Sequence, residues 1–483
     1  MPLSEVIKEK STPSPFKESV GAYLGHFSQA LQIKDMSQER LNQYADKVVR
    51  IIDRNNKIAD LLESQGPDGY KQIVGEEIKM KGDAKLGFVY CIDGRIPTIF
   101  LAGRFANVWE EPAGLITLKN AEDGGKLPKS TLLQQALHEV AREKRDVLEI
   151  FFAHTSTIEG KNTCGYMNKL QKDGDLPEGT TDLTAENLRQ YEEEYIPAVT
   201  KFYNRKRVKE NMEPLSRVGI SAVYETDRMG IVLNYGEGEN QFSTSNYINE
   251  NREALEYYVS EHLGTFGGMS KDFTEPEQFI RLSTRLLELT KFMMGNKKFS
   301  EQIDYYLARN YSDLSPSQIQ ALRFTLFRTS ALQYLTGLSM TQSGDEHTFT
   351  HHNEDYLSIS LAGKPVGRFD PKEQVFASNS SDTQTAISEV RLKLGLMDSH
   401  NAKKPYILFV SNPVRKATFE KYIETESETI NQDLALDSSL YQRMVEDSVL
   451  KTRIKDGDLV VVPVLVDQNT GEILHVPDFT DAI

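Results

Sequence analysis

Leu86-Gly87-Phe88-Val89-Tyr90-Cys91-Ile92-Asp93-Gly94-Arg95 is the stretch on which the fold turns. Its apolar half predicts a short strand, and the strand runs directly into a cysteine. A second run, Val147-Leu148-Glu149-Ile150-Phe151-Phe152-Ala153, predicts another strand that runs into His154. Residues 130–144 before it read as a helix, so the local order is helix, then strand. In open α/β sheets the carboxyl ends of strands are where sites are built, and both Cys91 and His154 meet that condition. Cys164-Gly165-Tyr166-Met167 opens a predicted short helix, where the dipole and the free N–H groups favour a thiolate.

Outward from these strands the chain keeps alternating. Leu41, Tyr44, Val48, Ile51, Ile52 and Ile58 recur at three- and four-residue steps and predict a helix over 37–64. A charged helix is expected over 185–212, and a hairpin over 218–233 with its turn at Asp227 to Gly230. Residues 243–338 read as several helices, among them 275–294 and 315–335. Strand character returns at 356–361, 406–410 and 459–466. The first roughly 25 residues, polar and spaced with Ser, Thr and Pro, read as a loose arm. The class is α/β, with parallel strands at the centre of the sheet.

One echo runs between the halves. With Ala222 dropped, Val223 to Leu233 aligns without a gap to Val464 to Leu474. Both are an apolar strand, an acidic residue, a polar turn, a glycine and an apolar strand. Each half also runs helices first, strands later and hairpin last, which predicts two copies of a unit of roughly 200 residues.

Composition limits the partners. At 483 residues the chain suggests two to four domains, and 39% hydrophobic residues are enough to build cores. No apolar run is long enough to cross a bilayer, and the N-terminal MPLSEVIKEKSTPSPF has no signal-peptide core, so a soluble cytosolic protein with no membrane partner is expected. A net charge of −15 repels polyanions, which argues against nucleic acid as a partner. Two cysteines are too few for a secreted disulfide scaffold and leave core residues, a redox pair or ligands open.

Their neighbours choose among these. Two thiolates and an imidazole, from Cys91, Cys164 and His154, suit zinc, and three protein ligands leave a fourth position for water. The run Cys91-x-Asp93-x-Arg95, followed by a strand into His154-Thr155 and then Cys164-Gly165, resembles the β-carbonic anhydrases. That family carries Cys-x-Asp-x-Arg and, later, His-x-x-Cys-Gly. Here nine residues separate His154 from Cys164, in place of two. The insert, with Glu159-Gly160-Lys161-Asn162, reads as a loop bulging between two ligands. Longer spacings of this kind make the carboxysomal-shell carbonic anhydrases the closer likeness. Those have an N-terminal helical part, a catalytic domain and a decayed metal-free copy.

The resemblance implies a β-carbonic-anhydrase-like sheet with central parallel strands, duplicated with a degenerate second copy, plus an N-terminal helical segment. It divides the chain into 1–75, an arm and helical segment; 76–240, a catalytic zinc-binding α/β domain; 241–338, a helical connector; and 339–483, a degenerate metal-free α/β repeat. It further implies Zn2+ on Cys91, His154 and Cys164 and the reversible hydration of CO2 to bicarbonate by a metal-bound hydroxide. Asp93 would accept a hydrogen bond from that hydroxide, and Arg95 would hold Asp93 in place and ionised. CO2 and bicarbonate are the implied small-molecule partners, with a homo-oligomer or a microcompartment shell or cargo role, and a cytoplasmic or carboxysomal location.

Other readings stay open. A COS or CS2 hydrolase would share the ligand set, and a catalytically inactive zinc scaffold would keep the metal alone. A Cys91–Cys164 redox pair would follow loss of the metal. A Cys-x5-Arg phosphate loop is excluded, because Pro97 stands where the arginine would be. His347, His351 and His352 form a rival cluster that reads as a solvated loop. No cysteine follows Cys164, so the C-terminal half cannot repeat the same ligand set.

Overall fold

Strands covered on both faces need continuous apolar runs, and this chain places them in two sheets. A computed structural model describes residues 14–34, 36–64, 76–90, 108–112, 137, 140–155, 185–225, 228–263, 276–343, 369–370, 374–378, 387, 390–391, 394, 398, 404–424, 439–467 and 472–477. Its strands are β1 (Lys85–Tyr90), β2 (Val108–Pro112), β3 (Val147–Thr155), β4 (Gly219–Glu225), β5 (Gly230–Leu233), β6 (Phe242–Ser243), β7 (Phe369–Asp370), β8 (Gln374–Ser378), β9 (Tyr406–Val414), β10 (Leu459–Asp467) and β11 (Ile473–His475). The helices used below are α1 (Phe16–Ala30), α2 (Gln38–Ser64), α3 (Ala185–Lys209), α4 (Thr244–Glu250), α5 (Arg252–Tyr258), α6 (Pro276–Gly295), α7 (Lys297–Asn310), α8 (Pro316–Ser343), α9 (Lys416–Glu424), α10 (Ser439–Glu446) and α11 (Ser448–Lys455).

The first sheet has the order β2-β1-β3-β4-β5-β6. Its first four strands are parallel, and β5 and β6 are antiparallel. Leu86, Phe88, Leu148, Ile150, Phe152, Ala222 and Tyr224 share one core with α6, α7 and α8. On β3 and β4 the other face receives α3. A Cβ at Gly219 would lie 2.9 Å from Phe151 and 3.2 Å from Ile196, so glycine there lets that helix seat against the strands.

Helix α8 is buried on every side, from Ala321 round to Leu335. Its polar residues stay satisfied because Thr325, Thr329, Ser330 and Thr336 each donate to the carbonyl one turn back, at 2.8–3.0 Å. Its N-terminus is fixed to the amino edge of the sheet. Gln318 donates to the carbonyls of Val147 and Arg217, at 2.6 and 2.8 Å. Asp146, just before β3, accepts from Ser315 (2.7 Å), Ser317 (2.6 Å) and Arg207 (2.8 Å).

Burial alone would raise the Asp146 carboxyl, but the bonds from Ser317, Ser315 and Arg207 outweigh it and hold it below its ordinary 3.8. A depressed folded-state pKa stabilises the fold above pH 3.8 and ceases to do so as pH falls through the depressed value. Asp146→Asn is therefore expected to lose about 1–3 kcal/mol at neutral pH in urea titrations. The gap to wild type should narrow in acid; a gap that does not change with pH would refute the linkage.

The second sheet has the order β11-β10-β9-β8-β7, with β8, β9 and β10 parallel and a strand antiparallel at each end. Its core is shared with the two N-terminal helices. Val20, Tyr23, Leu24 and Phe27 form the buried stripe of α1, and Tyr44, Val48 and Ile52 that of α2. The Tyr23 hydroxyl meets that of Tyr441 at 2.8 Å and donates to the Val461 carbonyl. Tyr44 donates to Gly457 at 2.8 Å, and Asn56 exchanges two 2.8 Å bonds with Ile473. The expectation of a loose arm thus fails from Phe16 onward, because these apolar positions find a partner sheet about 400 residues away in sequence.

The two sheets share a register. β3 and β9 are both nine residues long and end beside β4 and β10 in the pairs Thr155↔Glu225 and Val414↔Asp467. Glu225 pairs with Gly230, and the Asp467 amide donates to Glu472 at 2.8 Å, so both turns span the same length. The pairing aligns Ala222 with Val464 and Glu225 with Asp467, one position away from the alignment that drops Ala222. The Gly230 and Gly471 match behind that alignment is accidental. By the same register Leu86 corresponds to Gln374 and Leu148 to Ile407. Pro413 in β9 takes the register position of His154 in β3, and in sequence Asn379 follows β8 as Cys91 follows β1.

Candidate metal centre

β1 and β3 are adjacent and parallel, with Val89 opposite Phe151. β1 ends at Tyr90, and the next residue is Cys91. β3 carries His154 and Thr155 as its last two residues, beside Tyr224 and Glu225 of β4. The end of the strand that precedes Cys91 in sequence and the backbone of His154 therefore lie at the carboxyl edge of neighbouring strands. Cys91, Asp93, Arg95 and Cys164 lie outside the described residues, as do His347, His351 and His352. Among the described residues no group of three or more His, Cys, Asp or Glu is placed to hold a metal ion.

The edge itself is stiffly built. Ser245 donates to Glu225 at 3.2 Å, and Gln333 donates to Ser245 at 2.6 Å. Thr244 donates to the Gln333 carbonyl oxygen at 2.8 Å and accepts from the Ile231 amide at 2.9 Å. A Cβ at Gly230 would lie 3.0 Å from Thr244 and 3.1 Å from Gln333, so this relay needs glycine at the start of β5. Below it, Phe88, Phe152 and Tyr224 pack ring against ring, with centroids 5.4 and 6.3 Å apart. The Tyr224 hydroxyl is buried with no hydrogen-bond partner among the described residues, and burial pushes its pKa well above 10.0. Tyr224 belongs to the same buried apolar core as Phe88 and Phe152.

No family model and no curated protein matches the chain. What it shows without them is a mixed α/β fold with two mixed sheets and helices, and among the described residues no helix is long and apolar enough to cross a membrane.

The donor set suits the metal on chemical grounds. Two thiolates and an imidazole are the soft and borderline ligands that zinc takes. Sequence inspection did not find the Glu225–Ser245–Gln333 relay. Its members lie on three separate elements and carry no spacing signal.

Proposed function

We propose that this chain catalyses the reversible hydration of CO2 to bicarbonate, with zinc held by Cys91, His154 and Cys164. The observation that carries this is the parallel pairing of β1 and β3, whose carboxyl ends lead to Cys91 and hold His154. When bound, zinc supplies a Lewis acid that lowers the pKa of water towards ~7. Asp93 would accept a hydrogen bond from the oxygen at the water position and so orient that oxygen's lone pair towards the carbon of CO2. Arg95 would hold that carboxylate ionised and in register.

The common register supports a duplicated unit with a degenerate second copy. A ring-closed proline stands at the equivalent of His154 and an asparagine at that of Cys91. In sequence, Ser381 and Thr383 stand two and four residues beyond Asn379, as Asp93 and Arg95 do beyond Cys91. None of these pairs can supply a thiolate, an imidazole or the ion pair. One active centre per chain is the consequence.

Stopped-flow CO2 hydration on wild type beside Asp93→Ala, with metal analysis of both, tests the proposal. About one zinc per chain is expected in each. The variant should lose roughly 100-fold or more in rate, the scale for removal of a preorganised polar group at a reacting centre. A zinc-free wild type, or an unaffected variant, sinks the proposal. Hydrolysis of COS without CO2 hydration would select the related hydrolase, and bound zinc without either activity would select the scaffold.

A further inference from the structure

At the carboxyl end of β4 the described residues line a half-open cavity of about 370 Å3, with Arg228, Arg252 and Glu256 exposed at its mouth. That is the size of small-molecule pockets and several times what a bicarbonate ion fills. The wall is assembled from four elements: Arg228 in the β4–β5 turn, Ile248 of α4, Arg252 and Glu256 of α5, and Tyr334 and Gly337 of α8. Ser245 and Gln333 also line it, so the relay to Glu225 forms part of its surface.

Four observations set the chemistry of its occupant. Neither guanidinium makes an ion pair or a side-chain hydrogen bond among the described residues, although Glu256 stands one turn from Arg252. Two cations and one carboxylate leave the cavity with a positive balance, in a chain of net charge −15. Tyr334 is 6% exposed, and its hydroxyl has no hydrogen-bond partner among the described residues. Burial pushes that phenol up to about 12, so it stays a donor at neutral pH. The hydroxyl is not sealed from solvent, so it is available as a donor to whatever occupies the cavity. Finally, a Cβ at Gly337 meets nothing within 4 Å, which leaves that wall of the cavity open.

We propose that this cavity binds a small organic anion, with its carboxylate or phosphate group held by Arg228 and Arg252 and its body against Ile248 and Tyr334. The planar guanidinium forks match either oxyanion through paired N–H donors. The Tyr334 hydroxyl adds a third donor from the buried side. Glu256 at the rim takes a hydroxyl or ammonium group of the ligand. Binding here involves neither zinc nor turnover, so it stands or falls apart from CO2 hydration.

Calorimetric titration of the full chain with succinate and with glycerol 3-phosphate tests it, with sodium chloride at matched ionic strength as the blank. Saturable one-site binding of at least one probe is expected. Succinate alone marks a carboxylate site, glycerol phosphate alone a phosphate site, and both together recognition of the oxyanion itself. Arg228→Gln and Arg252→Gln should each weaken binding about tenfold or more, the loss expected for one charge-assisted contact. Gly337→Leu, which fills the cavity and leaves both arginines, should abolish it while the circular dichroism melt stays cooperative. No saturable heat from either probe at about 10 mM, well above a millimolar Kd, overturns the proposal. So does binding that is unchanged in all three variants.

Discussion

Cys91→Ala protein is expected to fold, to purify without zinc, and to hydrate CO2 at no more than about a thousandth of the wild-type rate. The fold should survive because the strand before Cys91 is held by other residues: Leu86 and Phe88 are fully buried, and β1 pairs on both sides. Two remaining ligands, His154 and Cys164, make a poor zinc site, since zinc in proteins almost always has at least three protein donors. Without the metal, water keeps its ordinary pKa of about 15.7 and hydroxide is scarce at neutral pH. Metal analysis, a stopped-flow assay and a thermal melt on one preparation separate the outcomes. Full zinc content, or hydration within a few-fold of wild type, would remove Cys91 from the site. An unfolded variant would be replaced by Cys91→Ser, which keeps the size of the side chain and loses the soft donor.

Arg328→Met is expected to show the largest loss of stability of any single change considered, about 3–5 kcal/mol. Arg328 in α8 and Glu77 in the helical residues 76–81 form an ion pair of 2.7 Å, and their side chains are 2% and 3% exposed. Burial raises the Glu77 pKa, and the facing guanidinium opposes that rise. Removing the arginine leaves a carboxyl buried without its counter-charge, which is the costly half of such a pair. The double variant Arg328→Met/Glu77→Met should recover most of the loss, because two apolar side chains then fill the same space. Urea titrations of the four proteins in the cycle measure this directly. If the double variant is no better than the single, lost packing rather than an orphaned charge is responsible.

Much of the fold was legible where local pattern and tertiary partner agree. The runs at 86–90 and 147–153 became β1 and β3 with ends shifted by one or two residues, and the helix expected over 275–294 became Pro276–Gly295. The hairpin at 218–233 formed with its turn where expected. α1 was missed because Gly21 and Gly25 lower its helix propensity, while the surface that stabilises it belongs to a distant sheet. β8, with the sequence QVFAS, lacks the alternation that marks a half-buried strand and acquires its place only from β9. Expected strand 356–361 lies outside the described residues.

The candidate site divides in the same way. The residue types at the strand ends are written in consecutive letters, so Cys91-x-Asp93-x-Arg95 and His154 could be seen at once. The anion cavity could not, because Arg228, Arg252 and Tyr334 are joined only by folding. No spacing connects a hairpin turn to two helices further along. The match of Pro413 to His154 also needed the strand register, since the turn glycines point to an alignment displaced by one residue.

The crosswise packing of the helices has a consequence during synthesis. α1 and α2 leave the ribosome roughly 400 residues before β10 and β11, which complete the sheet that covers their apolar stripes. At ordinary elongation rates the wait is on the order of half a minute. Over that interval Val20, Tyr23, Phe27 and Val48 have no surface to settle on, while the first sheet can already close over α6–α8. The nascent chain therefore carries an uncovered amphipathic helix pair until β10 and β11 emerge, and those strands are the step that buries it.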